Sequence, residues 1–313
     1  MNYKKFLEKV IQKNLIKRNA QGEEAATEIL VDFLKEFNPV IQQFKNSVPV
    51  YKDYGLEIDG QKIEAEPICF ESGEQNDFTL STFEEDLDFE RNYIATNPHC
   101  SAISKHTFTK GLLHGRSSQV FLNSSKTKKS RNIKSYIEVE KYNYTTANVL
   151  VGNFQNPEFI VYSHLDTVEN GVVDNLSGTL VMLNLLSKNS LILENSLFVF
   201  SGNEELSYDF PTYWGYGYRQ FEKEYSTIFN KAKHLIVDCI AFGELKVYND
   251  VETLMLGFPI KDQSVFSQTR MFSCDLNKLM TIYHSKLDDI NFFSEKDIEE
   301  TTFKIFNLIN NEK

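Results

Sequence analysis

Cysteine is sparse in this chain and never closely paired in sequence. Cys69, Cys100, Cys239 and Cys274 lie far apart and form no CxxC motif, which argues against a disulfide-stapled scaffold and against a thiolate zinc cluster. Four reduced thiols are expected. Positive charge is also short, with 33 Lys and Arg against 44 Asp and Glu and a formal net charge of -11. Phosphate binding needs a basic footprint, so this balance argues against nucleic acid as a partner. Long apolar runs are missing as well: no stretch approaches the roughly 20 residues that span a bilayer. The amino terminus, MNYKKFLEKVIQKN, is charged throughout and lacks the apolar h-region of a secretory signal. The expected protein is soluble and cytoplasmic, without a membrane partner. Its assembly state is left open, a homo-oligomer included.

What is present is the composition of a folded globular protein, with 41% hydrophobic and 25% charged residues. A length of 313 residues accommodates one large core or a core plus a smaller second domain. Residues 3–18 and 22–37 place Leu7, Val10 and Ile11, then Ala26, Ile29, Leu30, Phe33 and Phe37, at helical spacing with Gly22 between them. Two amphipathic helices are predicted there. Residues 51–144 read differently. LEIDGQKIEA carries an Asp59-Gly60 hairpin signal between alternating runs, and short apolar segments alternate with polar clusters, predicting a small β-rich unit. Inside it, NSSKTKKSRNIK (residues 123–134) is the one strongly basic run, and its Ser and Asn content predicts a solvated loop.

From residue 147 onward, apolar runs alternate with helical ones: NVLVGN, EFIVYSH, the helical SGTLVMLNLL, LFVFSG, a helical segment after Gly217, and HLIVDCI. Continuous apolar strands between helices predict an α/β three-layer sandwich whose mixed, mostly parallel sheet is covered on both faces. In such sheets functional residues gather at the carboxyl ends of strands. Three apolar runs end in metal-binding residue types, EFIVYS before His164, SLFVFSGN before Glu204 and HLIV before Asp238.

Catalytic zinc takes imidazole nitrogen and carboxylate oxygen, and a two-metal site needs a carboxylate that can bridge. His164-Leu165-Asp166 supplies an imidazole with a carboxylate two residues on, positioned to fix the ring's tautomer. Asp174, in VVDNLSG, is placed at the start of a helix and assigned the bridging role. Glu204-Glu205 puts two carboxylates side by side, one able to bind metal and the other to hold an attacking water as general base. Each piece alone is weak, since an HxD tripeptide or an acidic pair is common on a solvated face. Order and strand-end placement make the combination specific.

The motifs SHLDT, GVVDNLSG, SGNEEL, IVDCIAFGELKV and YHSKLDD together resemble the aminopeptidase S and aminopeptidase Y family of co-catalytic zinc peptidases, which also contains glutamate carboxypeptidases and glutaminyl cyclases. The resemblance covers residues 147–313, with an echo at 17–37 in RNAQGEEAATEILVDFLKEF. It implies a zinc-peptidase fold and two zinc ions, with His164 and Asp238 on one, Glu205 and His284 on the other, and Asp174 bridging. It further implies Glu204 as general base, Asp166 as orienter of His164, and a peptide as substrate. The resemblance also implies a catalytic domain of residues 1–50 and 145–313 into which the β-rich unit is inserted, and that insertion is similar to the protease-associated domains of such enzymes through AEPICFESG. Only ten positions separate His164 from Asp174 and 46 separate Asp238 from His284. These connections are shorter than the family's, so side-chain specificity does not carry over.

His99, His106 and His114 lack carboxylate partners at ligand spacing and are expected to be ordinary surface or core residues, as is His234 at the start of an apolar strand. The aromatic run Tyr213, Trp214, Tyr216 and Tyr218 reads either as a pocket lining or as helix packing. Asp288 is expected to cap or orient its loop rather than bind metal. The sequence predicts a zinc-dependent aminopeptidase; the alternatives are a one-zinc acyl transferase of the glutaminyl-cyclase kind and a non-catalytic relative.

Overall fold

A computed structural model describes residues 3–16, 20–85, 87–118 and 132–311. The chain forms two compact units: Met1–Asn46 with Tyr144–Leu276 and Asp288–Lys313, and Ser47–Asn143 with Asn277–Leu287. The basic run expected as a solvated loop lies outside the described residues as far as residue 131. Among the described residues, no helix is long and apolar enough to cross a membrane.

In chain order the strands are β1 Val40–Ile58, β2 Gln61–Lys62, β3 Glu66–Pro67, β4 Gly73–Gln75, β5 Thr79–Thr82, β6 Tyr93–Thr96, β7 Leu113–Arg116, β8 Ile133–Gly152, β9 Phe159–His164, β10 Ser196–Ser201, β11 Lys233–Val237, β12 Lys246–Tyr248 and β13 Thr269–Ser273. The helices are α1 Tyr3–Gln12, α2 Ala20–Leu34, α3 Ser177–Lys188, α4 Tyr216–Glu224, α5 Ser226–Phe229, α6 Val251–Gly257, α7 Leu276–Leu279 and α8 Glu295–Asn311.

The larger unit is an α/β sandwich on a mixed sheet ordered β12-β13-β11-β9-β10-β8-β1. Its centre is parallel: β9 pairs with both β10 and β11, and β11 with β13. β8 and β12 join antiparallel, to β10 and β13 respectively. All six residues of β9 and of β10 are buried, as expected of strands covered on both faces. Alternate side chains feed two cores. Phe159 and Val161 face α1, α2, α3 and α8, while Ile160 and Tyr162 face α4, α5 and α6. Helix α3 is apolar nearly all round and lies buried from Ser177 to Leu186. Gly178 lets it approach the sheet, because a Cβ there would come within 2.3 Å of the Val237 carbonyl oxygen.

The smaller unit contains the outer part of β1 paired with β2, the outer part of β8 paired with β4, and a separate sheet ordered β3-β7-β6-β5. Ile58 pairs with Gln61 across a two-residue turn in which Asp59 and Gly60 both have positive φ, 53° and 80°, the geometry their sequence predicts. The boundary between units falls inside β1 and inside β8. Residues 277–287, read from sequence as catalytic-domain residues, group with the β-rich unit. Hydrogen bonds explain this: Asn97 Nδ2 donates to the Met280 carbonyl (2.8 Å), Ser104 Oγ to that of Tyr283 (2.7 Å) and the Lys105 amide to that of His284 (3.0 Å).

His106, His114 and His234 are buried, and burial pushes each pKa from 6.5 down to about 4. A neutral imidazole that titrates more readily when unfolded leaves stability intact above pH 6.5 and removes it as pH falls from 6.5 towards 4. Each contributes on the order of 1–3 kcal/mol across that window. Urea midpoints measured from pH 7 to pH 4 should therefore fall through this range; a flat profile would contradict the burial of these rings.

Candidate metal centre

His164 ends β9, Asp238 follows the end of β11, and Glu204 and Glu205 follow β10 by a short turn. The parallel register thus sends their side chains to one edge of the sheet. Asp174 reaches it from the turn Val172–Leu176, not from a helix start as the sequence suggested. Its φ and ψ are -113° and 87°, and α3 begins only at Ser177.

His164 Nε2 lies 3.2 Å from Asp174 Oδ1 and 3.4 Å from Asp238 Oδ1. All three residues are buried, and one ligand atom from each lies within 4.8 Å of the others. A carboxylate oxygen of Glu205 also lies within 4.8 Å of one from Asp174. His284 belongs to the smaller unit, where Nδ1 meets the Lys105 carbonyl oxygen at 3.2 Å and the ring stacks on Tyr283.

Asp166 meets the ring through its main chain and not through the carboxylate that the sequence reading placed behind it. His164 Nδ1 bonds to the Asp166 carbonyl oxygen at 3.1 Å, while the carboxylate stands 3.6 Å away, beyond hydrogen-bond range. That carboxylate instead accepts the amides of Glu204 and Glu205, both at 2.8 Å, one on each oxygen. The acidic pair is therefore held by its main chain, and its side chains are aimed by the clamp.

Asn175, which sequence reasoning missed, ties three elements together. Its Nδ2 donates to Ser163 Oγ (3.2 Å) and the Val237 carbonyl (2.9 Å), and its Oδ1 accepts the amides of Gly178 (3.0 Å) and Cys239 (3.2 Å). The only sequence cue was an Asn between the bridging candidate and a Leu-Ser-Gly helix start. Behind Glu204, Asn203 donates to the Tyr144 hydroxyl, which donates to buried Glu23 at 3.0 Å. The loop after Glu205 is tied down by buried Arg219, which bonds Asp209 and the carbonyls of Thr212 (2.8 Å), Trp214 (2.6 Å) and Pro259 (3.0 Å). Of the aromatic run, Tyr218 is core, Tyr216 packs on Phe44, and Trp214 donates to the Leu256 carbonyl. His99 pairs with Glu84 at the surface, and His234 bonds Tyr162 and the Phe229 carbonyl.

The electrostatics fit a cation. Burial alone would depress the His164 pKa, but Asp166, Asp174 and Asp238 override it and hold the ring well above its usual value. Burial raises Glu204 well above the carboxylate range, and Glu205, Asp238 and Asp166 push the same way. So many carboxylates around one imidazole are stable only with protons or metal among them, and the imidazole and carboxylate donors suit a divalent transition metal.

Neither a scan of protein-family models nor a search of curated proteins finds a match to the sequence. Solved structures do match. A zinc aminopeptidase from Bacillus subtilis aligns over 99% of this chain and 93% of its own, with a TM-score of 0.67 at 13% identity. An aminopeptidase from Aneurinibacillus sp. strain AM-1 aligns over 97% and 92%, with a TM-score of 0.62 at 14% identity. A glutaminyl cyclase of Porphyromonas gingivalis aligns over 99% and 97%, at 0.51 and 12%. The chain has the zinc-peptidase fold.

The surrounding carboxylates favour the protonated form of His164, and as a ligand the ring would have to give that proton up, so metal uptake should release protons and weaken as pH falls. Calorimetric heats of zinc binding to metal-free protein should vary with the buffer's ionisation enthalpy. Heats independent of buffer, with affinity independent of pH, would contradict the protonated resting site.

Proposed function

We propose that this chain is a metal-dependent exopeptidase of the co-catalytic zinc peptidase family, an aminopeptidase that removes N-terminal residues from peptides with two zinc ions. The supporting observation is the buried trio His164, Asp174 and Asp238, with the clamped pair Glu204-Glu205 at the same sheet edge. In this reading His164 and Asp238 hold one ion, Glu205 and His284 the other, and Asp174 bridges, as the sequence resemblance implies. Zinc is favoured by the mixed nitrogen and oxygen donors and by the zinc aminopeptidase that shares the fold. All four cysteines are free and buried, which supports a reducing compartment, the cytoplasm.

Bound metal supplies a water of lowered pKa and a polarised carbonyl. Glu204 then has a defined task. Its carboxylate takes a proton from the attacking water and delivers it to the departing amine, so it must be ionised at rest and basic enough to accept. Burial keeps it basic, and neighbouring cations would keep it ionised. Asp166 holds Glu204 and Glu205 through their amides, leaving both side chains to the reaction. His164 serves as a neutral ligand through Nε2 because its Nδ1 faces the Asp166 carbonyl.

The fold shared with a glutaminyl cyclase supports a second reading, an acyl transferase with one zinc. Metal analysis and a substrate screen separate the two. Two equivalents of zinc and hydrolysis of free-amino aminoacyl fluorogenic substrates, with N-blocked peptides untouched, support the aminopeptidase; one equivalent with cyclisation of N-terminal glutamine supports the cyclase.

Glu204→Gln should keep the fold and both metals while lowering kcat by about 10² to 10⁴ with little change in KM. Glu205→Gln should lower metal content as well as turnover. Near-normal turnover of Glu204→Gln on a confirmed peptide would remove Glu204 from the role of general base.

A further inference from the structure

The turn that carries Asp174 breaks from helical geometry at its centre. Asp174 and Asn175 both depart from helical geometry, with φ of -113° and -140°, although α3 begins two residues later. The position of the Asp174 carboxylate therefore depends on what grips the main chain on its amino-terminal side. That grip comes from Asp288, 114 positions away, which is 1% exposed. Its Oδ1 accepts the Val173 amide at 2.7 Å and its Oδ2 accepts the Asp174 amide at 3.0 Å.

This arrangement repeats the one at the acidic pair, where Asp166 takes two consecutive amides on its two oxygens. In both cases a buried carboxylate grips two successive amides of a loop that bears metal-ligand candidates. Charge-assisted hydrogen bonds of this kind are about twice as strong as neutral ones and fix geometry in two directions. On the far side of Asp174, Ser177 Oγ donates to the Val173 carbonyl at 2.7 Å and accepts the Ile240 amide at 2.9 Å. Together with Asn175, these bonds hold the turn from both ends.

The geometry points to Asp288 as a positioning residue for the metal centre: it sets the placement of the Asp174 carboxylate, and so the affinity for the metal that Asp174 shares, by clamping the amides of Val173 and Asp174. The inference rests on the two-metal reading above. Asp288 itself is no ligand in this scheme, since neither group of candidate ligand atoms includes it. An additional consequence is electrostatic. A buried anion at this position adds to the negative charge around Asp174 and Asp238, so its removal weakens cation binding through the field as well as through geometry.

The test is zinc affinity, measured by competition with a chromogenic chelator on metal-free protein, for wild type, Asp288→Asn and Asp288→Glu. Asparagine keeps one acceptor and turns an N–H toward the second amide, so affinity for at least one zinc should fall by about 10- to 100-fold. Turnover should fall at limiting zinc and recover substantially at high zinc, with KM little changed. Glutamate retains the charge and both acceptors and should recover part of the affinity. Melting of the metal-free forms identifies damage that has nothing to do with metal. Wild-type zinc affinity in a folded Asp288→Asn protein overturns the inference while leaving the two-metal reading intact. Absence of zinc binding by wild type overturns both. If neither variant folds, Asp288 is a folding residue and the positioning role is wrong.

Discussion

The constraint that shapes this protein is the concentration of negative charge at one buried sheet edge. Asp166, Asp174, Asp238, Glu204 and Glu205 are all buried, and His164 is the imidazole they surround. Ionised carboxylates taken out of water cost several kcal/mol each unless something positive or strongly polar meets them. Two kinds of partner do so here. Main-chain amides neutralise the clamp Asp166 in part, and His164, Asp174, Asp238 and Glu205 offer ligand atoms close enough together that a cation would complete the balance.

That requirement accounts for otherwise odd features of the fold. Loops that follow β9, β10 and β11 would ordinarily be loose at their tips. Here they are stitched by side chains facing inward: Asp166 grips the β10 loop, Asp288 the Asp174 turn, and Asn175 the ends of β9 and β11. The parallel sheet supplies coarse alignment by ending its strands together, and these polar contacts supply the fine alignment that shared ligation demands. Arg219 extends the same principle outward, fixing the loop after Glu205 through three carbonyls.

Much of this was legible in the sequence, for identifiable reasons. The strands β9, β10 and β11 announced themselves as short apolar runs, and their ends marked His164, Glu204 and Asp238. The Asp59-Gly60 turn could be read because only a few residue types accept two consecutive positive φ values. Less legible were residues whose role is a contact made over long distance in the chain. Asp288 grips amides 114 and 115 positions away, and Asn175 reaches Val237 across 62; no local pattern encodes such partners. The helix start near Asp174 was misplaced for the same reason, since Asp174 and Asn175 depart from helical geometry where tertiary bonds grip them. Residues 277–287 group with the smaller unit, where the sequence reading placed them in the larger, because hydrogen bonds from Asn97, Ser104 and Lys105 to their main chain leave no trace in composition.

The Asp166 clamp recognises amides, which every residue except proline provides, and is indifferent to the side chains at 204 and 205. Replacement at position 204 therefore leaves the loop where it is. On the two-metal reading proposed above, with Glu204 as general base, a lineage carrying this site stands one codon change from a protein that keeps its shape and its hold on metal yet performs no chemistry. Such a descendant could be recruited to bind peptide ends as signals, and in the laboratory the same change offers a trap that retains natural ligands long enough to identify them.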